Sequence, residues 1–252
     1  MNGSDGMAHI IPMGLEVDRV LGGLRRFPTN RAILLYGNDT ESEIEKKARE
    51  NGKRIRDMVS ATIQIEDREL DIFDFYDAAR KLRELMESLS EEGYKVYVNL
   101  STGNRIVTSA ALLACFMTGS HPYYVRPERY SIPGDQFVLS HGVKEVMEIP
   151  SVTILGPTGA GVKVLKVLNS QGGSVRYETS LIPHLDLQGD FFKDRNEGET
   201  KKAYMARKKA HLSRVLKGLE NEGYVSLTRK GKYVSVSITE TGFLFSGPPG
   251  TL

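Results

Sequence analysis

Over its first 125 residues the chain repeats one unit: a short β-rich run, a glycine or small polar residue, then a helical period. The runs fall at 9–12, 32–36, 61–65, 96–98 and 123–125. Between them, residues 16–26 place Val17, Val20, Leu21 and Leu24 at helical spacing, residues 41–59 form a charged amphipathic stretch, and 73–89 and 104–118 carry apolar helical faces. Strands that alternate with helices need crossover connections, which predicts an α/β fold: a Rossmann-like parallel sheet with helices on both faces. Right-handed crossovers then set the strand ends that lead into helices along one rim. That rim gathers the Gly14 loop, the Gly37-Asn38-Asp39 loop and the loop from Asn99 to Arg105. Ligands of open α/β sheets bind at such ends.

The fourth unit, KVYVNLSTGNRIVTSAALLACFMTG, has the most polar corner. A strand stops at Asn99, and Ser101, Thr102, Gly103 and Asn104 lead into an apolar helix. N–H groups at a helix start favour negative charge. Ser101 and Thr102 add hydroxyls, Gly103 permits close backbone approach, and Arg105 adds a fixed positive charge. The pattern points to a nucleotide or another phosphate-bearing ligand. Ser and Thr also cap helices and Gly also makes turns, so a purely structural corner is the alternative.

The formal net charge of +2 decides nothing, but its distribution does. Within 201–232 stand Lys201, Lys202, Arg207, Lys208, Lys209, Arg214, Lys217, Arg229, Lys230 and Lys232, opposed only by Glu220 and Glu222. Such a cluster faces a polyanion or is a solvated face. The single cysteine, Cys115, lies in the apolar run ALLACFM and reads as a small buried hydrophobe. No apolar run is long enough to span a bilayer, and MNGSDGMAH lacks the regions of a signal peptide, so a cytoplasmic protein whose ordered part starts near Met7 is expected. His9, His121, His141, His184 and His211 are scattered, and no metal site is expected.

The grammar changes at PSVTILGPTGAG, which sets a domain boundary near 155 and divides the chain into 7–154 and 155–252. GPTGAGVK is not a phosphate loop, because Val162 stands where the lysine is needed. Before the boundary, residues 137–149 read as a hairpin turning near His141-Gly142. After it come a helix at 162–168, an irregular stretch at 174–198, and a strong helix at 201–222 with Leu212, Val215, Leu216 and Leu219 at i, i+3, i+4, i+7. Two alternating strands then flank the basic turn Arg229-Lys230-Gly231-Lys232. A helix followed by a basic-tipped hairpin suits the major groove and its flanking phosphates. Lys209, His211, Ser213, Arg214 and Lys217 are the expected helix contacts with double-stranded DNA, and Arg229, Lys230 and Lys232 the wing contacts. The preceding helix of the motif is placed at 199–205, with its turn near Ala206-Arg207 or with no turn. A helix and hairpin used for dimer contact is the alternative.

The run LSRVLKGLENEGYVSLTRKGKYVSVSITETG resembles winged helix-turn-helix regulators. With HIIPMGLEVDRVLGGL, NLSTGNR and PYYVRPERY, the whole chain resembles CARF-domain winged-helix regulators of CRISPR systems, archaeal type. The resemblance implies a dimeric Rossmann-like sensor of cyclic oligoadenylates, cyclic tetra-adenylate foremost, joined to a DNA-binding domain. It implies ligand contacts from Asn99, Ser101, Thr102, Gly103, Asn104 and Arg105, and from Met13, Gly14, Leu15 and Glu16 after the first strand, with Asp18 and Arg19 as candidates. Partners would be double-stranded DNA, the cyclic oligonucleotide and a second copy of the chain, with no membrane and no cofactor. The chain departs from the family at Asn104-Arg105, where a second Gly and Thr-Lys are common. Some CARF domains cleave their ligand; no His or Glu adjoins the motif in sequence as a base, and no catalytic residue is assigned. The alternatives are a ring nuclease, or a DNA-binding regulator whose first domain only dimerises.

Overall fold

The computed structural model describes residues 6–131, 139–152, 154–231 and 233–247. The chain divides into two compact units, Met1–Ile154 and Leu155–Leu252. In the first, β1 (Gly6–Pro12), α1 (Val17–Arg26), β2 (Arg31–Gly37), α2 (Glu43–Val59), β3 (Gln64–Leu70), α3 (Phe75–Glu91), β4 (Tyr94–Asn99), α4 (Arg105–Thr118) and β5 (His121–Arg126) alternate. Short strands β6 (Arg129–Tyr130), β7 (Ser140–His141) and β8 (Glu145–Glu148) follow. The sheet order is β3-β2-β1-β4-β5-β8. Its first five strands are parallel, and β8 closes the far side antiparallel to β5. The chain moves outward from β1 to β3, then returns to β4 on the other side of β1. Between β1 and β4 the direction of winding reverses.

Strand side chains alternate between faces, and the two faces take different helices. Ile11, Ala32, Leu34 and Tyr36 pack with Val20, Leu21 and Leu24 of α1 and Ala48 and Ile55 of α2. The right-handed return from β3 to β4 sends α3 to the opposite face, where it packs on α4 and β4. Ala110, Ala111, Ala114 and Cys115 are all buried on α4, small enough for close approach to α3. Burial pushes the Cys115 thiol up to about 12, which leaves it protonated and inert near neutral pH.

Two sequence expectations for this unit need correction. The third strand was expected at 61–65 and lies at Gln64–Leu70. It is an edge strand whose charged side chains hide its alternation: Glu66 meets Arg31 at 2.7 Å and Asp67 meets Arg56 at 2.6 Å. Nor do residues 137–149 form a hairpin with themselves. β7 pairs with β6, and β8 pairs with β5, because the apolar side of that strand needs a cover more than the segment needs its own turn. Phe137 lies outside the described residues.

His9 is fully buried on β1, stacked on Tyr97 at 5.4 Å between ring centroids, with Nδ1 3.1 Å from the Tyr123 hydroxyl. Burial lowers its pKa to about 3. The unfolded chain therefore binds a proton near pH 6.5 that the fold refuses, so stability falls as pH drops from 6.5 toward 3, by up to about 1.4 kcal/mol per pH unit. Denaturant titrations should show His9→Gln losing less stability than the native chain between pH 7 and pH 5. Parallel stability–pH curves for the two would contradict this.

The second unit contains α5 (Gly159–Ser170), β9 (Ser174–Val175), a 3-10 turn at Glu178–Ser180, α6 (Leu181–Asp186), α7 (Lys201–Asn221), β10 (Val225–Lys230), β11 (Tyr233–Ile238) and α8 (Glu240–Phe243). Val164, Leu165, Leu168, Leu181, Leu185, Leu212, Leu216, Leu219 and Val236 form one core joining three helices and the hairpin. β11 sits between β10 and β9. Thr158 caps α5 through Gly161 N, so the glycine-rich stretch starts a helix. Of the two readings for 199–205, the one without a turn holds: α7 runs unbroken through Ala206 and Arg207, both good helix formers, so a separate helix at 199–205 is corrected and α6 is the helix that precedes α7. A Rossmann-like parallel sheet followed by a winged helix is the fold. No helix among the described residues is long and apolar enough to cross a membrane.

Candidate functional site

At the reversal of winding the loops after β1 and β4 leave the carboxyl ends of adjacent strands, the place where ligands of open α/β sheets bind. The two loops meet backbone to backbone. A Cβ on Gly14 would stand 2.7 Å from Gly103 N. Gly103 has φ +84°, and a Cβ there would stand 2.7 Å from Pro12 Cβ. Neither position accepts a side chain without moving a loop. Above the contact, α4 begins at Arg105, whose side chain is exposed. Asn104 caps the helix through Val107 N at 2.8 Å, and the remaining N–H groups of that turn face out of the helix end.

Several expected ligand residues build this corner from the inside. Asn99 is fully buried; its Oδ1 accepts from Ser101 N at 2.8 Å and its Nδ2 donates to Arg19 O at 3.3 Å. Thr102 Oγ1 donates to Pro12 O at 2.6 Å, tying the β4 loop to the end of β1. The expectation of free hydroxyl donors is corrected for Thr102, whose one proton is committed. Ser101 Oγ accepts from Val125 N at 2.5 Å and keeps its own proton. Asn104 Nδ2 donates to Ile72 O at 3.1 Å, so both ends of that amide are engaged. Met13 is buried in the core and Leu15 is half-buried. Gly14, Gly103 and Arg105 therefore offer backbone and charge, while Asn99, Thr102 and Asn104 hold the shape.

Glu16, expected at the site from the loop after β1, does lie at this corner. It is remote from the β4 motif in sequence, yet its Oε2 lies 3.2 Å from the Cβ position of Gly14, beside Gly103. The carboxylate accepts from Leu15 N at 3.1 Å and stands 3.6 Å from Arg19 Nη1. Burial raises its pKa, with Arg19 working against the shift. Arg19 is only 5% exposed, with Nε donating to Val125 O at 2.9 Å and its guanidinium over the Tyr124 ring at 4.8 Å. Its Nη2 has no hydrogen-bond partner among the described residues. Asp18 faces away and accepts from Gly142 N at 2.9 Å. Asn51 was missed. It reaches from α2 to Gly14 O and Leu15 O at 3.4 and 3.1 Å. A polar residue on the inward stripe with Ala48 and Ile55 was the available signal.

In the second unit, α7 buries Lys208, Leu212, Leu216 and Leu219 and leaves Lys209, Ser213, Arg214 and Lys217 exposed. Lys209, Ser213 and Lys217 recur every fourth residue and share one face. Arg207 pairs with Glu199 at 2.9 Å and Lys208 pairs with Asp186, so these two are turned to the protein. His211 is half-buried, its ring 5.2 Å from Phe191 and 6.0 Å from Phe192, on the flank of the helix. Arg229 is exposed near the end of β10, Lys230 is opposite Tyr233 in the ladder, and Gly231 turns the wing with φ +61°. Lys232 lies outside the described residues.

Together these units make a Rossmann-like domain joined to a winged helix domain. Residues 7–130 match the family model described as "HFX_2341_N:-like, N-terminal", and residues 160–245 match "DUF6293 C-terminal winged helix domain". An uncharacterized protein of Archaeoglobus fulgidus is 27% identical over 239 residues, covering 94% of this chain and 95% of its own length. Among solved structures, Can2 from Sulfobacillus thermosulfidooxidans in complex with cyclic tetra-adenylate is 12% identical with a TM-score of 0.42, covering 93% of this chain and 73% of that one. Csm6 from Enterococcus italicus bound to cyclic hexa-2'-fluoro-hexa-dAMP is 12% identical with a TM-score of 0.44, covering 88% of this chain and 56% of that one.

Proposed function

We propose that this protein is a CRISPR-associated transcriptional regulator of archaeal type that binds double-stranded DNA as a homodimer and responds to a cyclic oligoadenylate held across the dimer axis. The observation that carries the ligand half is the Gly14–Gly103 contact beneath the first turn of α4, with Arg105 exposed at its rim. Bare backbone, outward N–H groups and a cation with no ion pair among the described residues suit a phosphate. A two-fold dimer presents that corner twice, which matches an even-membered ring of phosphates. The DNA half rests on the exposed lysines of α7 and the basic wing. Ligand contacts that differ between two dimer arrangements then change the DNA affinity by linkage.

The test incubates the full chain with labelled cyclic tetra-adenylate and with duplex DNA from upstream of its own gene. Retention of intact ligand together with a ligand-dependent DNA shift supports the proposal. Breakdown of the ring makes the first domain a ring nuclease, and absence of binding makes it a dimeriser. Glu16 offers a finer check. Its carboxylate stands beside the proposed phosphate position, so Glu16→Gln removes a repulsion and should tighten ligand binding about three- to tenfold. Equal or weaker binding by that variant in a filter assay would place the phosphate elsewhere.

A further inference from the structure

A pocket of about 540 Å³ lies in the winged helix domain, between the start of α5, the loop at 190–193 and the middle of α7. That volume falls within the range of roughly 300–1,000 Å³ usual for small-molecule sites. Its floor is aromatic. Phe191 and Phe192 meet edge to face at 4.6 Å and 88°, and His211 stands edge-on to Phe191 at 75°. Its rim is cationic, and the charges are unequally committed. Lys163 is held by Asp190, Lys208 by Asp186 and Arg207 by Glu199. Lys193 and Arg214 line the pocket without an acidic partner among the described residues. Gly159 and Ala160 open the first turn of α5 onto the same space, where N–H groups add to the positive field.

We infer that this pocket binds a small planar organic anion, its ring against Phe192 and His211 and its charged group between Lys193 and Arg214. An aromatic floor favours a flat apolar body, and two uncommitted cations favour a carboxylate or phosphate. A mononucleotide and an aryl carboxylate both have this chemistry. Because Arg214 also belongs to the exposed side of α7, an occupant and a duplex would draw on one guanidinium. The inference stands apart from the proposed ligand corner of the first domain.

Calorimetric titration of the full chain, without DNA, uses AMP, benzoate and inorganic phosphate in turn. AMP or benzoate should bind once per chain, and the tighter of the two identifies the source. Phosphate alone should bind at least tenfold more weakly, Lys193→Glu should weaken the organic probe at least tenfold, and Phe192→Leu severalfold. Thermal melting of both variants checks that they remain folded. No binding of either organic probe at millimolar concentration overturns the inference, as does phosphate binding as tightly as AMP. Loss of AMP binding in Arg105→Glu with full retention in Lys193→Glu also overturns it, since AMP then occupies the first domain, an outcome that leaves the proposed function standing.

Discussion

Arg105→Glu should lower the affinity for cyclic tetra-adenylate at least about a hundredfold, because a charge-assisted hydrogen bond is worth about 1.5–3 kcal/mol and reversal turns the attraction into repulsion. In the proposed dimer the change occurs twice per ligand. Arg105 is exposed and makes no ion pair among the described residues, so its replacement should leave the fold intact. The helix it begins is capped by Asn104, which the substitution does not touch. The contrast with Thr102→Val is informative. That variant removes the bond to Pro12 O and should cost stability, on the order of 1 kcal/mol, with any effect on binding following from the shifted loop. Filter binding with labelled ligand, beside a denaturant titration, separates the two. Wild-type affinity in Arg105→Glu would remove the phosphate from the end of α4.

The second large effect concerns DNA. The double variant Lys209→Glu, Lys217→Glu should weaken binding to duplex at least about a hundredfold at 100 mM salt, uniformly across sequences, and flatten the dependence of affinity on salt by roughly one counterion per lysine removed. Both lysines are exposed on one face of α7 and neither is tied to an acid among the described residues. Lys208→Gln is the matched control. Its ammonium faces Asp186 and the Phe192 and Tyr204 rings, so it should affect stability and leave the salt slope unchanged. A gel-shift titration at several salt concentrations reads both. An unchanged slope in the double variant would mean that α7 does not lie against phosphate.

The parallel pairing of the first five strands was legible in the sequence because buried strands are continuous apolar runs, as in AILLY, and their helices have clear apolar stripes. β3 was misplaced because an edge strand is solvated, and QIEDREL has only Ile65 and Leu70 as apolar residues among its charges. The hairpin at 137–149 was misread because alternation identifies a strand without naming its neighbour. At the corner, residue types were legible and their duties were not. Asn99, Thr102 and Asn104 carry the polar groups expected of ligand contacts, and the structure spends much of that capacity internally. Glu16 and Arg19 were named with the loop after β1, while Asn51 comes from α2, and no local spacing could bring it to the motif.

The meeting of Gly14 with Gly103 has a mechanical meaning. With no side chain between them, the two segments have nothing soft to compress, and a displacement of one by a few tenths of an ångström must push the other. Thr102 adds a tether to the same joint. A shift of either loop is therefore felt at the ends of β1 and β4 together, and from there at the starts of α1 and α4.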